Sequence, residues 1–264
     1  MASNARPIAL VTGASSGIGA NLARELAKDG HDLILSARRV EPMQVLAKEL
    51  KSVGANSTII TADLSDSGAA AVLVRDIETQ GLAVDVLINA AGLGANGRFD
   101  ACDPVRVTEM LQVNVVALTE LTRMLLPPMV ARGKGKVLLM ASTAGFQPGP
   151  QMAVYCASKA YVLSFGEAIA YELKDSGVTV TTLCPGATDT EFARVADAGS
   201  SALFKGLLPL MSASDVARIG YQGLKAGRGV VITGLVNKIM ATSSRLSPTP
   251  LSLRIANWMM STGK

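Results

Sequence analysis

The chain has 264 residues, of which 49% are hydrophobic, 17% charged and 4% aromatic. That composition excludes general disorder and allows a substantial core, in one large α/β domain or two small ones. Cys102, Cys156 and Cys184 are odd in number and lack metal spacing, and His31 is the only histidine; a disulfide framework, a His-based triad and a metal site are therefore not expected, and a reduced cytoplasmic compartment fits best. The net charge of +4 is lopsided, because no acidic residue follows Asp215 while Arg218, Lys225, Arg228, Lys238, Arg245, Arg254 and Lys264 do. These cations alternate with apolar residues and form no dense run, so a nucleic-acid arm is excluded.

The opening "MASNARPIALVTG" has no long apolar stretch and does not read as a secretory signal. It leads into the first of seven short apolar runs, at 8–12, 32–37, 57–62, 84–90, 135–142, 177–184 and 228–234. They are β-branched or leucine-rich without clean alternation, as in parallel strands covered on both faces. Helical patterns separate them at 18–29, 41–53, 68–80, 104–131, 152–175 and 213–226. This alternation predicts a single doubly wound α/β domain with a parallel sheet of about seven strands, helices on both faces and right-handed crossovers. The uncharged window 137–158 is long enough to span a bilayer, but Gly145, Pro148, Gly149 and Pro150 interrupt it. It is not a membrane helix.

Directly after the first strand, "VTGASSGIGANLARELA" sets Gly13, Gly17 and Gly19 at the opening of a helix. Glycines there permit a tight turn and close approach of backbone to a pyrophosphate, and a helix amino terminus offers unpaired N–H groups. No lysine follows the glycines, which disfavours a P-loop. The second strand ends in "SARR": Ala37 stands where an NAD-preferring site carries an acid, and Arg38 and Arg39 follow. A guanidinium fork suits a 2′-phosphate, so NADP(H) is the expected cofactor, against the reading that the arginines simply face water.

In "AVYCASKAYV" (153–162), Tyr155 and Lys159 stand four residues apart. On a helix they share a face, about 5–6 Å between Cβ atoms, and an ammonium there would favour the phenolate. The spacing alone fits a solvated face equally well.

Collinear motifs add to this reading. "TGASSGIG" (12–19), "NAAG" (89–92), Asn114 in "LQVNVVAL", Ser142 in "LLMASTAG", "YCASK" (155–159) and "PGATDT" (185–190) resemble the short-chain dehydrogenase/reductase family over about residues 7–234, in its compact oxidoreductase branch. The resemblance implies a Rossmann-like fold and oxidoreductase activity. It implies that Tyr155 is the general acid/base, that Lys159 lowers its pKa and holds the nicotinamide ribose, that Ser142 holds the substrate oxygen, and that Asn114 helps carry a water relay to the lysine. Such roles suit carbonyl reduction, which builds negative charge on oxygen and needs a proton and fixed donors. By the same match Ser15, Ser16 and Ile18 join the glycines of the phosphate loop, Asp63 and Leu64 border the adenine, Asn89, Ala91 and Gly92 the adenosine ribose and its surroundings, and Pro185, Gly186, Thr188 and Thr190 the carboxamide. The family commonly pairs the helices at 104–131 and 152–175, so a homodimer or homotetramer is expected.

The connection 187–212 is long and carries Phe192, Val195, Leu203, Phe204, Leu207, Leu208 and Leu210. It reads as a lid on residues 1–234, the catalytic part. With Leu93 and Phe146 it suggests an apolar pocket for a lipophilic ketone or secondary alcohol (3-oxoacyl, steroid-like or aryl), unless those side chains only pack the lid. The tail, 235–264, reads as two amphipathic helices broken at "SPTP", with Leu251, Ile255 and Trp258 in one stripe. It would roof the site or cover a neighbouring subunit in preference to lying on a membrane surface. An NAD(H)-linked dehydrogenase and a nucleotide-sensing scaffold without catalysis are the rival readings.

Overall fold

The computed structural model describes residues 6–191 and 210–260. Seven strands form one parallel sheet in the order β3-β2-β1-β4-β5-β6-β9: β1 (Ile8–Thr12), β2 (Asp32–Ser36), β3 (Ser57–Ile59), β4 (Val84–Asn89), β5 (Gly135–Met140), β6 (Val178–Cys184) and β9 (Val230–Ile232). All seven coincide with the apolar runs. Two cores explain why those runs do not alternate. One face of the sheet presents Ala9, Val11, Leu33, Leu35 and Ile88 to α1 (Gly17–Lys28), α2 (Val40–Ser52) and α7 (Ala213–Lys225). The other presents Leu10, Ile34, Leu87, Val137 and Leu139 to α3 (Ala69–Thr79), α5 (Leu118–Ala131) and α6 (Ala153–Glu172). A strand buried on both sides has no polar face to show.

The helix expected over 104–131 departs from one regular cylinder. It runs as α4 (Pro104–Leu111), opens into a wide π turn over Gln112–Ala117, and resumes as α5. The cause is tertiary: Asn114, at the centre of the turn, is pulled inward by bonds to Leu93 and Ser158.

Chain order changes direction between β1 and β4, where β1 pairs with β2 on one side and β4 on the other. In such a sheet the crevice for a ligand opens outside the carboxyl ends of those strands. Two elements partly close it. The ends of the 187–212 connection form a short parallel ladder, β7 (Thr188–Asp189) with β8 (Met211–Ser212). The rest of the expected lid, including Phe192, Val195, Leu203, Phe204, Leu207 and Leu208, lies outside the described residues. The tail is helical as read, α8 (Leu235–Leu246) and α9 (Thr249–Met260). Ser244 Oγ donates to the Phe146 carbonyl at 3.4 Å and the Arg245 guanidinium lies 4.8 Å from the Phe146 ring, which seats α8 over the cleft. Among the described residues no helix is long and apolar enough to cross a membrane.

Candidate active site

The loops after β1, β2, β4, β5 and β6 enclose one cleft of about 470 Å³. Gly13, Ser15, Ser16, Gly17, Ile18 and Gly19 form one wall. A Cβ on Gly13 would stand 2.8 Å from the Ala91 nitrogen, and one on Gly19 would strike the Gly13 carbonyl oxygen, so side chains would pry the loop from the sheet. Ser16 at the helix entry makes no side-chain cap and the first turn of α1 holds no acid. The first N–H groups of α1 are thus left to whatever occupies the cleft, with the positive end of the helix dipole behind them. That is a cradle for a phosphate group.

At the far end, Arg38 and Arg39 line the cleft. Arg38 Nη1 is 3.7 Å from Asp63 Oδ2, and Arg39 Nη2 donates to Glu191 Oε2 at 2.7 Å. Asp63, held by the Ser65 backbone N–H and hydroxyl and by Arg38, titrates below its ordinary value despite partial burial. Leu64, Ala91 and Gly92 line the floor, and Pro185, Gly186, Thr188 and Thr190 the opposite rim.

Ser142, Tyr155 and Lys159 meet at the deep end, brought there by two elements. Ser142 follows β5 and caps the short helical turn Thr143–Phe146, accepting from the Ala144 N–H at 3.1 Å. Tyr155 and Lys159 lie one turn apart on the buried face of α6. The Tyr155 side chain is hydrogen-bonded to Ser142. Lys159 Nζ donates to the Met140 carbonyl at 2.8 Å and lies 5.7 Å from the centroid of the Tyr155 ring. The solvated-face reading of the pair fails, since both are buried.

Burial also sets the electrostatics. It pushes the Tyr155 phenol above its ordinary value, against the opposing pull of the Ser142 hydrogen bond. It brings Lys159 down to about 8. The resemblance implies an ammonium that acidifies the phenol; in the protein alone, loss of water is the larger effect on both groups.

Two of the expected catalytic and cofactor residues do not line the cleft, and neither does Phe146, expected in the apolar pocket. Asn89 Nδ2 turns into the core, donating to Thr122 Oγ1 at 3.0 Å and the Leu118 carbonyl at 3.3 Å. Asn114 Nδ2 donates to the Leu93 carbonyl at 2.9 Å and to Ser158 Oγ at 3.0 Å, while its Oδ1 accepts from the Leu93 N–H at 2.9 Å. Asn114 therefore clamps the loop that follows "NAAG", next to the lysine. Among the cleft residues that had no individual sequence signal are Asn237, Met240, Ala241 and Ser244 of α8. Their spacing of three and four was legible only as one side of an amphipathic helix.

The short chain dehydrogenase family model matches residues 7–200. The chain belongs to the short chain dehydrogenase family. Among curated relatives, the ketoacyl reductase HetN of Nostoc sp. is 30% identical over 255 residues, covering 94% of this chain and 88% of that protein. A short-chain dehydrogenase from Sphingobium yanoikuyae, solved in complex with NADPH, superposes with a TM-score of 0.79 at 30% identity, over 90% of this chain and 92% of that one. The bulky-bulky ketone specific alcohol dehydrogenase from Comamonas testosteroni gives 0.76 at 28% identity, over 91% and 92%. The fold described above, with its seven-stranded parallel sheet, matches the two solved structures. The protein is thus an oxidoreductase by family.

Proposed function

We propose that this dehydrogenase is NADP(H)-dependent and interconverts a ketone and a secondary alcohol on a lipophilic substrate. The observation that carries the reading is the Tyr155 side chain hydrogen-bonded to Ser142, one helical turn from the buried Lys159, in the same cleft as the uncapped start of α1.

The cleft fits a dinucleotide. The first turn of α1 would take the pyrophosphate, Asp63 and Leu64 the adenine, the "NAAG" segment with Ala91 and Gly92 the adenosine ribose, and the Pro185–Thr190 segment the carboxamide. When bound, the nicotinamide supplies or takes up the hydride. The Tyr155 hydroxyl gives its proton to the carbonyl oxygen in reduction and removes it in oxidation, while Ser142 holds that oxygen. Lys159 places its ammonium beside the phenol and holds the nicotinamide ribose. Asn114, outside the cleft lining, is a positioning residue.

The NADP(H) preference rests on Ala37 and the two arginines. Their ion pairs with Asp63 and Glu191 are about half exposed, and such pairs contribute about 0–1 kcal/mol, so a phosphate dianion displaces a carboxylate readily. The NADPH complex of the Sphingobium relative agrees with this. The lipophilic preference rests on Leu93, Ala144, Met152 and Met240, which surround the reacting end of the cleft with few charges. The Comamonas relative acts on bulky ketones. Exposed Val105, Leu111, Val116 and Tyr161 on α4, the π turn and α6 support a homo-oligomer through those helices.

A panel of ketones followed by NADPH absorbance tests the reading, with Tyr155→Phe as control. The variant is expected to lose turnover and keep cofactor binding. Turnover restricted to small polar sugars or amino acids would remove the lipophilic assignment, and binding without turnover of any ketone would favour the scaffold.

A further inference from the structure

We infer that the outer face of the two tail helices is a docking surface for an anionic lipid bilayer, with α8 standing between the bilayer and the cleft. The inference does not depend on the proposed chemistry. Roofing the site and touching a membrane are competing uses of the tail as long as only sequence is considered. The structure gives each use its own face. On α8, Asn237, Met240, Ala241 and Ser244 turn inward and line the cleft. On the opposite face Leu235, Ile239 and Leu246 are 74%, 61% and 82% exposed, and Lys238 stands exposed at its edge. The second helix repeats the division: Ser252 and Ala256 are buried, while Leu251, Ile255 and Trp258 are about half exposed and Arg254 is exposed beside them.

Large exposed apolar side chains on two successive helices call for a partner. Its chemistry follows from the charge. Residues 235–260 contain Lys238, Arg245 and Arg254 and no acid. Arg245 pairs with Glu167 at 3.5 Å, which leaves Lys238 and Arg254 to face outward with the leucines and the tryptophan. A second copy meeting this face symmetrically would set cation against cation across an apolar contact, since a two-fold interface matches a patch with itself. An anionic headgroup layer over hydrocarbon supplies both complements at once, negative charge for Lys238 and Arg254 and apolar depth for Leu235, Ile239 and Leu246.

Trp258 is the only tryptophan of the chain, so its emission reports on this surface alone. The full-length protein is titrated with vesicles of phosphatidylcholine mixed with phosphatidylglycerol, and with phosphatidylcholine alone. A blue shift and co-sedimentation with the mixed vesicles only, weakened by salt, are expected. Both should disappear in Leu235→Ser/Ile239→Ser/Leu246→Ser, whose turnover of a water-soluble ketone and whose NADPH affinity should match the parent's. Absence of binding to either vesicle, or equal binding to both, would overturn the proposal. So would a parent that ignores vesicles but, in light scattering, forms an assembly the triple variant cannot, because a second copy would then own the face.

Discussion

Arg39 and Glu191 meet across the mouth of the cleft, Nη2 to Oε2 at 2.7 Å, although 152 positions separate them in the chain. Arg39 opens the segment after β2, and Glu191 follows the β7 ladder. Ser15 Oγ is 3.5 Å from the same guanidinium nitrogen. A 2′-phosphate that reaches Arg39 from the phosphate loop must displace this carboxylate and tolerate it nearby. Glu191→Gln is therefore expected to tighten NADPH binding by about two- to tenfold and to leave NADH unchanged, the range set by an exposed ion pair of about 0–1 kcal/mol plus the relief of repulsion. Fluorescence titration of both cofactors checks it. Equal tightening of NADH would show that Glu191 does not act on the 2′-phosphate.

Asn114 gives a prediction of a different kind. Its amide satisfies both the N–H and the carbonyl of Leu93, a buried residue. Asn114→Ala leaves two backbone groups without that partner and frees Ser158 Oγ of a donor. The expected loss is about 2–4 kcal/mol of stability, read as a lower denaturant midpoint with an unchanged slope. Turnover should fall as well. A Cβ placed on Gly92, the residue before Leu93, would lie 3.5 Å from both Asn114 Oδ1 and Lys159 Nζ, so the clamped loop abuts the ammonium. A variant as stable as the parent would mean that water or relaxation satisfies Leu93.

What could be read in advance follows from how local each cause is. The strands were legible because burial on both faces leaves a compact apolar run, as in "IALVT" and "KVLLM", and the order of glycines, "NAAG" and "YCASK" located the cleft. The π turn was not legible, because nothing in "LQVNVVAL" shows that Asn114 will bond to a loop 21 residues earlier. Asn89 belongs to the same class: its amide is satisfied by Thr122 on α5, a contact 33 residues away. The tail's pattern announced amphipathic helices, yet which face would meet the cleft depended on where Phe146 stands. The balance of effects on Tyr155 was equally out of reach, since charge is written in the sequence and desolvation is not.

Gly145 lies in the helical turn between Ser142 and α6, and its missing side chain sets how closely that turn and α6 approach. A Cβ there would stand 2.6 Å from the Lys159 carbonyl oxygen and 3.0 Å from the Ala160 nitrogen. These are backbone atoms of α6 and no rotamer change moves them. Gly145→Ala is expected to cost about 1–3 kcal/mol through overpacking and to reduce turnover at least tenfold, since displacement of about 1 Å at a reacting group can cost a hundredfold. Gly30, with open space around its Cα, is the control for stability only, because its φ of +86° disfavours a side chain there as well. Normal turnover in Gly145→Ala would show that α6 and the turn can separate without moving Ser142 from Tyr155.

Lys159 is a group that the fold holds at a cost. Burial lowers its pKa from 10.5 to about 8, so below pH 8 the folded protein carries a buried ammonium that donates to a backbone carbonyl, that of Met140. The unfolded chain keeps that proton to about pH 10.4. Between these values the unfolded state binds more protons than the folded one, and this group makes stability rise with pH. Below pH 8 the full cost is present, on the order of 3 kcal/mol. Lys159→Met removes it and forfeits the bond to Met140, so a net gain of about 1–3 kcal/mol is expected at pH 7, shrinking steadily toward pH 10, together with loss of turnover. In the parent enzyme, loss of the ammonium above about pH 8 should lower turnover even as stability rises. Denaturant midpoints of both proteins at pH 7 and above pH 9 check the argument. A variant less stable than the parent at pH 7, with a gap that ignores pH, would show that the ammonium is better solvated than its burial implies.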